Sequence, residues 1–113
     1  MEIRFVLDED VQAEDVLLGR GRKHPGNDRF RDLVNGYFDE YEAAKKQEQT
    51  KIAEEVVETI IKGGGRFLVK NVIENEWTEI AFLTARRKVA HTLRSIRKKR
   101  KRAEDKKAAQ QKQ

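Results

Sequence analysis

Cysteine is absent from the chain, and histidine occurs only twice. Without cysteine, disulfide bonds and thiolate-ligated metal sites are excluded, and a reducing, intracellular location is expected. The two histidines, His24 and His91, stand in distant segments, which is a poor basis for a zinc site. The one serine, Ser95, lacks the strand-turn-helix context of a catalytic nucleophile. The sequence therefore predicts a protein that is not an enzyme and that holds no metal or cofactor.

Long apolar runs are also missing. No apolar run approaches the length of a membrane span, and the N-terminal residues are too acidic for a signal peptide. We therefore expect no membrane partner. With 113 residues, of which 37% are hydrophobic and 40% charged, the chain can form one domain with a modest core and a very polar surface.

Acidic residues do not occur between Thr84 and Arg102, where ten residues are lysine or arginine. A second basic segment, residues 20–31, contains five cations and one acid. In the rest of residues 1–83, acids outnumber cations. Positive charge confined to two segments is typical of nucleic-acid contact or of an address signal rather than of general solubility.

The densest basic run is Arg97–Arg102, which consists of six consecutive cations. Such a run matches the pattern recognised by nuclear import receptors, and it also suits phosphate binding. A plain solvated helix end is the less favoured interpretation, because no acid dilutes the run. We expect a nuclear protein with an import receptor as one partner.

A glycine-containing basic loop precedes the first predicted helix. It fails the phosphate-binding-loop template, because Gly26 is followed by Asn27 where a lysine is required, and His24 stands where a dinucleotide fingerprint needs its third glycine. Two interpretations remain, a basic nest for a backbone phosphate and a tight turn with no ligand. The residues expected to form the loop are Gly19, Gly21, His24, Pro25, Gly26 and Asn27.

Hydrophobic periodicity predicts an α+β fold. Helical stripes start at Asn27 or Asp28, near Lys46–Thr50 and near Thr84. A β-hairpin with strands 66–70 and 76–80 lies between helices two and three, and Met1, Ile3, Phe5 and Leu7 alternate as in a half-buried N-terminal strand. We divide the chain into an N-terminal strand and acidic connector (1–14), a globular domain (15–96), and a basic helical extension with a polar, frayed tail (97–113).

Several local features carry their own expectations. Val16–Leu18 is either a second short strand or an anchor for the loop, and the first two helices could form one long bent helix. Gly36 inside helix one predicts close packing there. Gly63 is expected to end helix two in a left-handed conformation. The hairpin should pack on the helices through Phe67, Val69 and Trp77 or Ile80.

Helix, helix and hairpin follow one another as in winged-helix DNA-binding domains, where the second helix of the pair enters the major groove. The outward positions of helix two include Glu54, Glu55 and Glu58. A helix that reads the groove should not be acidic. Any nucleic-acid contact must therefore come from the loop and the third helix.

Some of these residues resemble the signature of an uncharacterised domain family, a domain of unknown function expanded in diatoms. The resembling segments are Asp15-Val16-Leu17-Leu18-Gly19-Arg20-Gly21, His24-Pro25-Gly26-Asn27, Phe30-Arg31 and Leu33-Val34, followed by Gly64-Gly65-Arg66-Phe67-Leu68, Trp77 and Ala85–Val89. The resemblance covers roughly residues 15–95. It implies a domain boundary and no particular activity.

The leading interpretation is a non-enzymatic nuclear domain that binds nucleic acid, with DNA expected, mainly through phosphate contacts. The alternative is a protein-interaction module whose basic segments bind an acidic partner, and an enzyme is third. The expected contacts are Arg20, Arg22, Lys23 and Arg29 from the loop, and Arg86, Arg87, Arg94, Arg97, Lys98, Lys99, Arg100, Lys101 and Arg102 from the third helix.

Overall fold

The computed structural model of the chain describes residues 4–19, 23–71 and 76–111. It has the predicted α+β composition, with three helices and a four-stranded sheet. A short 3-10 turn, Asp8–Asp10, follows the first strand. The strands are β1 (Phe5–Leu7), β2 (Val16–Leu18), β3 (Phe67–Lys70) and β4 (Glu76–Glu79), and the helices are α1 (Pro25–Ala43), α2 (Lys46–Lys62) and α3 (Phe82–Gln111).

The sheet has the strand order β1-β4-β3-β2. β4 is antiparallel to both of its neighbours, and β2 is parallel to β3. Val16–Leu18 is therefore a strand rather than a simple anchor, and the N-terminal strand joins the same sheet as the hairpin. Parallel neighbours need a long crossover connection, which α1 and α2 provide.

The stripe predicted for α1 is buried at Phe30, Val34, Phe38 and Tyr41. α1 and α2 are separate helices, because the backbone becomes extended at Ala44 and Lys45. The expectation of close packing at Gly36 is wrong. A Cβ added there would meet no atom within 4 Å, so this glycine weakens an exposed helix face without a packing reason.

α2 ends in a Schellman motif. The N–H of Gly64 donates to Ile61 O at 3.0 Å, and the N–H of Gly65 donates to Ile60 O at 2.9 Å. The residue with positive φ is Gly64 (φ +88°), and Gly63 has φ −81°, so the left-handed position lies one residue later than predicted. This ending turns the chain directly into Arg66 and β3.

The apolar residues form two clusters, one on each face of the sheet. The larger cluster joins all three helices to Val16 and Phe67. The smaller cluster contains Val6, Leu68 and Trp77, with Val11 and Leu17 packed against it. The acidic connector after β1 thus covers the second face of the sheet.

The burial predicted for the N-terminal strand is inverted. β1 pairs with β4 so that Val6 lies opposite Trp77, and Val6 is buried while Phe5 is 58% exposed and Leu7 49% exposed. Trp77 packs away from the helices, and its Nε1 donates to Asp8 Oδ1 at 2.9 Å. Val69 is 37% exposed and does not belong to the core, whereas Phe67 and Ile80 pack with the helices as expected.

α3 is one continuous helix of 30 residues. It begins at Phe82, two residues before the predicted start, and it stays helical through Gln111, so the prediction of a frayed tail from residue 103 is wrong over the described residues. Ala85, Val89 and Leu93 are its buried line. None of the described helices is long and apolar enough to cross a membrane.

Candidate functional site

The chain entering β2 is anchored by one buried carboxylate, Asp15, whose exposed fraction is 0%. Arg66 donates to it through Nε (3.1 Å to Oδ1) and Nη2 (2.8 Å to Oδ2). The backbone N–H groups of Gln12 and Arg66 donate at 2.8 and 3.1 Å. Both carboxylate oxygens are thus bonded, which is the condition for a buried charge to be tolerated.

The protonation of this pair follows from its surroundings. Burial alone would raise the pKa of Asp15, but the hydrogen bonds from Arg66 and Gln12 and the charge of Arg66 together lower the pKa below its usual value. The hydrogen bond to Asp15 in turn raises the pKa of Arg66. The pair is charged at neutral pH, and both carboxylate oxygens of Asp15 are already bonded.

Two glycines let helix ends approach the main chain beside Asp15. A Cβ on Gly26 would lie 2.0 Å from Asp15 O, and a Cβ on Gly65 would lie 2.4 Å from Glu14 O. The Glu14–Asp15 backbone therefore fits between the first turn of α1 and the end of α2. These contacts give a packing reason for glycine at positions 26 and 65.

Asn27 holds the edge of the sheet. Its Oδ1 accepts from the N–H of Leu17 at 2.7 Å, and its Nδ2 donates to Leu17 O at 3.0 Å. The amide thus takes the place of a neighbouring strand along β2, an edge strand. His24 bonds across the loop, with Nε2 2.8 Å from Gln12 O. We call Gln12, Asp15, His24, Gly26, Asn27, Gly65 and Arg66 the Asp15 clasp.

α1 starts at Pro25, earlier than the predicted Asn27 or Asp28, and the side chain of Asn27 bonds to β2 instead of capping the helix. Pro25, Gly26 and Asn27 form the first helical turn rather than a loop, and His24 is the N-cap residue. Proline suits the first turn because its missing N–H is not needed there. Asn27 is not a cap, since its side chain is committed to Leu17.

The basic residues of the loop fall into two groups. Arg20, Gly21 and Arg22 lie outside the described residues, whereas Gly19 adopts a positive φ of 139° and Lys23 is exposed. The guanidinium of Arg29 lies over Gly63, because a Cβ at Gly63 would be 2.8 Å from both Nη1 and Nη2. A cation there complements the C-terminal end of α2, which gives Arg29 a role in the fold.

Three of the predicted contacts on α3 are engaged with acids of other helices. Arg86 Nη1 lies 3.2 Å from Glu54 Oε1, and Arg97 donates from Nε to Glu42. Arg100 Nη1 lies 3.7 Å from Asp39 Oδ1, and its guanidinium lies 4.0 Å from the centroid of the Phe38 ring. These arginines hold α3 against α1 and α2.

The solvent face of α3 carries a second set of cations. They repeat at intervals of three and four residues, so they share one side of the helix, opposite Val89 and Leu93. All are exposed, and none forms an ion pair with a carboxylate among residues 4–19, 23–71 and 76–111. We call this set the basic stripe: Arg87, Arg94, Lys98, Lys101 and Arg102, with His91 on the same line.

A cleft of about 530 Å³ lies between β2, α1 and α3. Its apolar lining comes from the edge of the core, and its polar lining comes from both helices. The lining contains no carboxylate. The polar and charged side chains that line it are Asn27, Arg31, Asn35, Thr92, Ser95, Lys99 and Arg100, and the apolar ones include Val16, Leu18, Phe30, Val34 and Ile96.

Among the lining residues, the sequence singled out Lys99 and Arg100 as contacts and Gly19 and Asn27 as loop-forming, but it did not predict the cleft. The available signal was the spacing of Thr92, Ser95 and Lys99, which places them on one side of α3. The α1 residues on the other side of the cleft, Arg31 and Asn35, could not be placed there from sequence, because their position depends on how the two helices pack. Within the described residues, no group of three histidine, cysteine or acidic side chains could hold a metal ion.

The chain matches no curated protein and no solved structure. A family model does match residues 15–95, which include β2, α1, α2, the hairpin and the part of α3 that lies on the core. The match begins at Asp15 of the clasp and ends at Ser95 of the cleft. Since it spans most of the sequence, the chain belongs to the family described as Domain of unknown function (DUF6824).

Proposed function

We propose that this protein is a non-enzymatic nuclear domain that binds nucleic acid, with DNA as the expected ligand, mainly through phosphate contacts. The observation that carries the proposal is the basic stripe. Its cations are exposed and unpaired within the described residues, so they add little to the fold. Arginine and lysine side chains in this state are the usual neutralising groups for backbone phosphates.

The charge of the molecule orients such a complex. Along α2, Glu55 and Glu58 are exposed, so a polyanion would be repelled from that side. The stripe lies along α3, and Arg87 to Arg102 spans roughly 22 Å of helix at 1.5 Å per residue. We therefore place the nucleic acid along α3 and away from α2.

We assign the proposed contacts to two roles. Arg86 and Arg97 form close ion pairs with acids of α2 and α1, so we expect them to add to the positive potential rather than to contact phosphates directly. The exposed Arg100–Asp39 pair is looser, at 3.7 Å, so Arg100 stays a candidate contact. The stripe residues are the direct phosphate contacts. From the loop we propose Arg20, Arg22 and Lys23 as additional contacts, because Gly19, at the start of that segment, lines the cleft beside α3.

A protein-interaction module for an acidic partner is the second candidate. The observation in its favour is the exposure of Phe5, Leu7 and Val69, which the pairing places on one face of the sheet. Exposed apolar residues next to one another are typical of protein interfaces. The salt experiment below separates the two candidates.

The logarithm of the affinity for duplex DNA should fall linearly with the logarithm of the salt concentration. The slope should be about −0.9 for each phosphate neutralised. Arg94→Gln and Lys98→Gln should each reduce that slope by about one. Arg20→Ala and Arg22→Ala should do the same if the loop also contacts phosphates. Fluorescence anisotropy with a labelled duplex at several salt concentrations measures the slope.

The matched control is Lys46→Gln, which removes one exposed cation from the start of α2. It should leave the slope unchanged. Equal slopes for the parent, the stripe variants and the control would remove the stripe from the interface. Tighter binding to an acidic polypeptide than to any nucleic acid would favour the interaction module.

Nuclear accumulation should be lost when Lys98, Lys99, Lys101 and Arg102 are replaced by alanine. These four are exposed, and the substitution spares Arg97 and Arg100, which pack against α1. The protein must be fused to a large fluorescent partner, because 13.2 kDa is small enough to diffuse through nuclear pores. Undiminished nuclear signal in that fusion, with an unchanged melting curve of the isolated variant, would show that the run is not the address.

A further inference from the structure

We propose that the cleft between β2, α1 and α3 binds one unpaired nucleotide of a nucleic-acid strand. This inference rests on the proposed function and deepens it, because it distinguishes a single strand from a duplex. Three properties of the cleft support it: its size and apolar lining, its uncommitted polar groups, and its charge.

The cleft has the size and lining of a small-ligand site. Its volume of about 530 Å³ falls within the range of roughly 300–1,000 Å³ common to such sites. Leu18 and Ile96, which are partly exposed, and the 9% exposed Phe30 contribute apolar surface. Phe30 is fixed in place by its edge-to-face contact with Phe67, at 5.7 Å between ring centroids. An unpaired base offers two apolar faces that a duplex keeps stacked.

Two polar side chains of the cleft are available for a base edge. Neither the hydroxyl of Ser95 nor the amide of Asn35 forms a hydrogen bond or ion pair within the described residues. The hydroxyl of Thr92 is already committed, since it donates to Lys88 O at 2.9 Å. An amide and a hydroxyl both donate and accept, which matches the mixed donors and acceptors of a base edge.

The charge of the cleft suits a phosphate. Lys99 has no carboxylate partner in the described part of the chain, and Arg31 and Arg100 reach theirs only at 3.7 Å. Both of those pairs are exposed, so they are weak and can be exchanged for a phosphate. Lys99 also adjoins Lys98 and Arg102, so a strand leaving the cleft meets the basic stripe.

The test fills the cleft without changing its charge. Ser95→Leu should weaken binding to a labelled single-stranded oligonucleotide at least about fivefold. This factor corresponds to the lower end of the affinity lost when the stacking of one base is removed. Binding to a duplex of the same sequence should not change. The control is Thr84→Leu, which makes a comparable substitution at an exposed position near the start of the same helix, outside the cleft. Asn35→Leu fills the cleft from α1 and should act like Ser95→Leu.

The outcomes separate the two proposals. Parent-like single-strand binding by both cleft variants, with duplex binding intact, would overturn this inference and leave the proposed function standing. A parent protein that binds neither ligand would overturn both. Adenosine monophosphate that binds as tightly as the oligonucleotide would overturn the assignment to a strand. Displacement of the oligonucleotide by an acidic phenylalanine-containing peptide, lost in Ser95→Leu, would assign the cleft to a peptide.

Discussion

Gly26→Ala should destabilise the protein by more than about 3 kcal/mol, whereas Gly36→Ala should stabilise it by about 1 kcal/mol. Both glycines lie in α1, so the substitution is chemically the same. The Cβ at position 26 would lie 2.0 Å from Asp15 O, and main chain at that distance must move. The Cβ at position 36 would meet nothing within 4 Å. Urea unfolding followed by circular dichroism measures both changes.

The comparison tests the clasp directly. Total stabilities of small domains are about 5–15 kcal/mol, so the loss at position 26 should be visible as a much lower midpoint. A Gly26→Ala protein as stable as the parent would show that α1 does not pack on the Glu14–Asp15 backbone. Gly36→Ala serves as the control for any general effect of alanine in this helix.

Asp15→Ala should cost about 3–5 kcal/mol, as expected when one partner of a buried ion pair is removed. The substitution leaves the Arg66 guanidinium, which is only partly exposed, without its two carboxylate bonds. Asp15→Asn keeps the shape and should cost less. The exposed pair of Arg31 and Asp28 provides the control, since Asp28→Asn should change stability by less than about 1 kcal/mol.

The same carboxylate makes stability dependent on acid pH. The pKa of Asp15 is lower in the folded protein than the ordinary value of 3.8, so its contribution is fully present above that value and is lost as the pH falls through the folded pKa. The stability difference between the parent and Asp15→Asn should thus be constant near neutral pH and shrink below about pH 4. A difference that does not vary with pH would show that Asp15 is not charged in the folded state.

Local periodicity was sufficient to predict the helices and the hairpin. The predicted stripe of α1 depends on residues within a few turns of one another: Phe30, Leu33, Val34, Tyr37, Phe38 and Tyr41. The structure buries four of them and leaves Leu33 and Tyr37 partly buried. The prediction of which face of β1 is buried was wrong, because that face is set by pairing with β4, which is distant in the sequence. Val6, not Phe5, meets Trp77, and that pairing joins segments about 70 residues apart, beyond what alternation reveals.

The glycine loop shows the same limit. The sequence left open a phosphate nest and a tight turn for the loop, and it did not reveal that the backbone of Asp15 approaches closely at Gly26. The role of Asp15 as a buried ion-pair partner depends on Arg66, which is 51 residues away in the sequence. Likewise, the number of cations on α3 was evident, but which ones are taken by Glu42 and Glu54 depends on helix packing.

The continuity of α3 fixes the angular phase of its charges. Each residue turns the helix by about 100°, and no break separates the buried Leu93 from the cations that follow. The buried face of α3 therefore fixes the direction, around the helix axis, in which Lys98 and Arg102 project. One extra residue after Ile96 would rotate every later cation by about 100° and exchange the stripe for the arginines that face α1. The number of residues between the core and the basic run is thus as constrained as their chemistry.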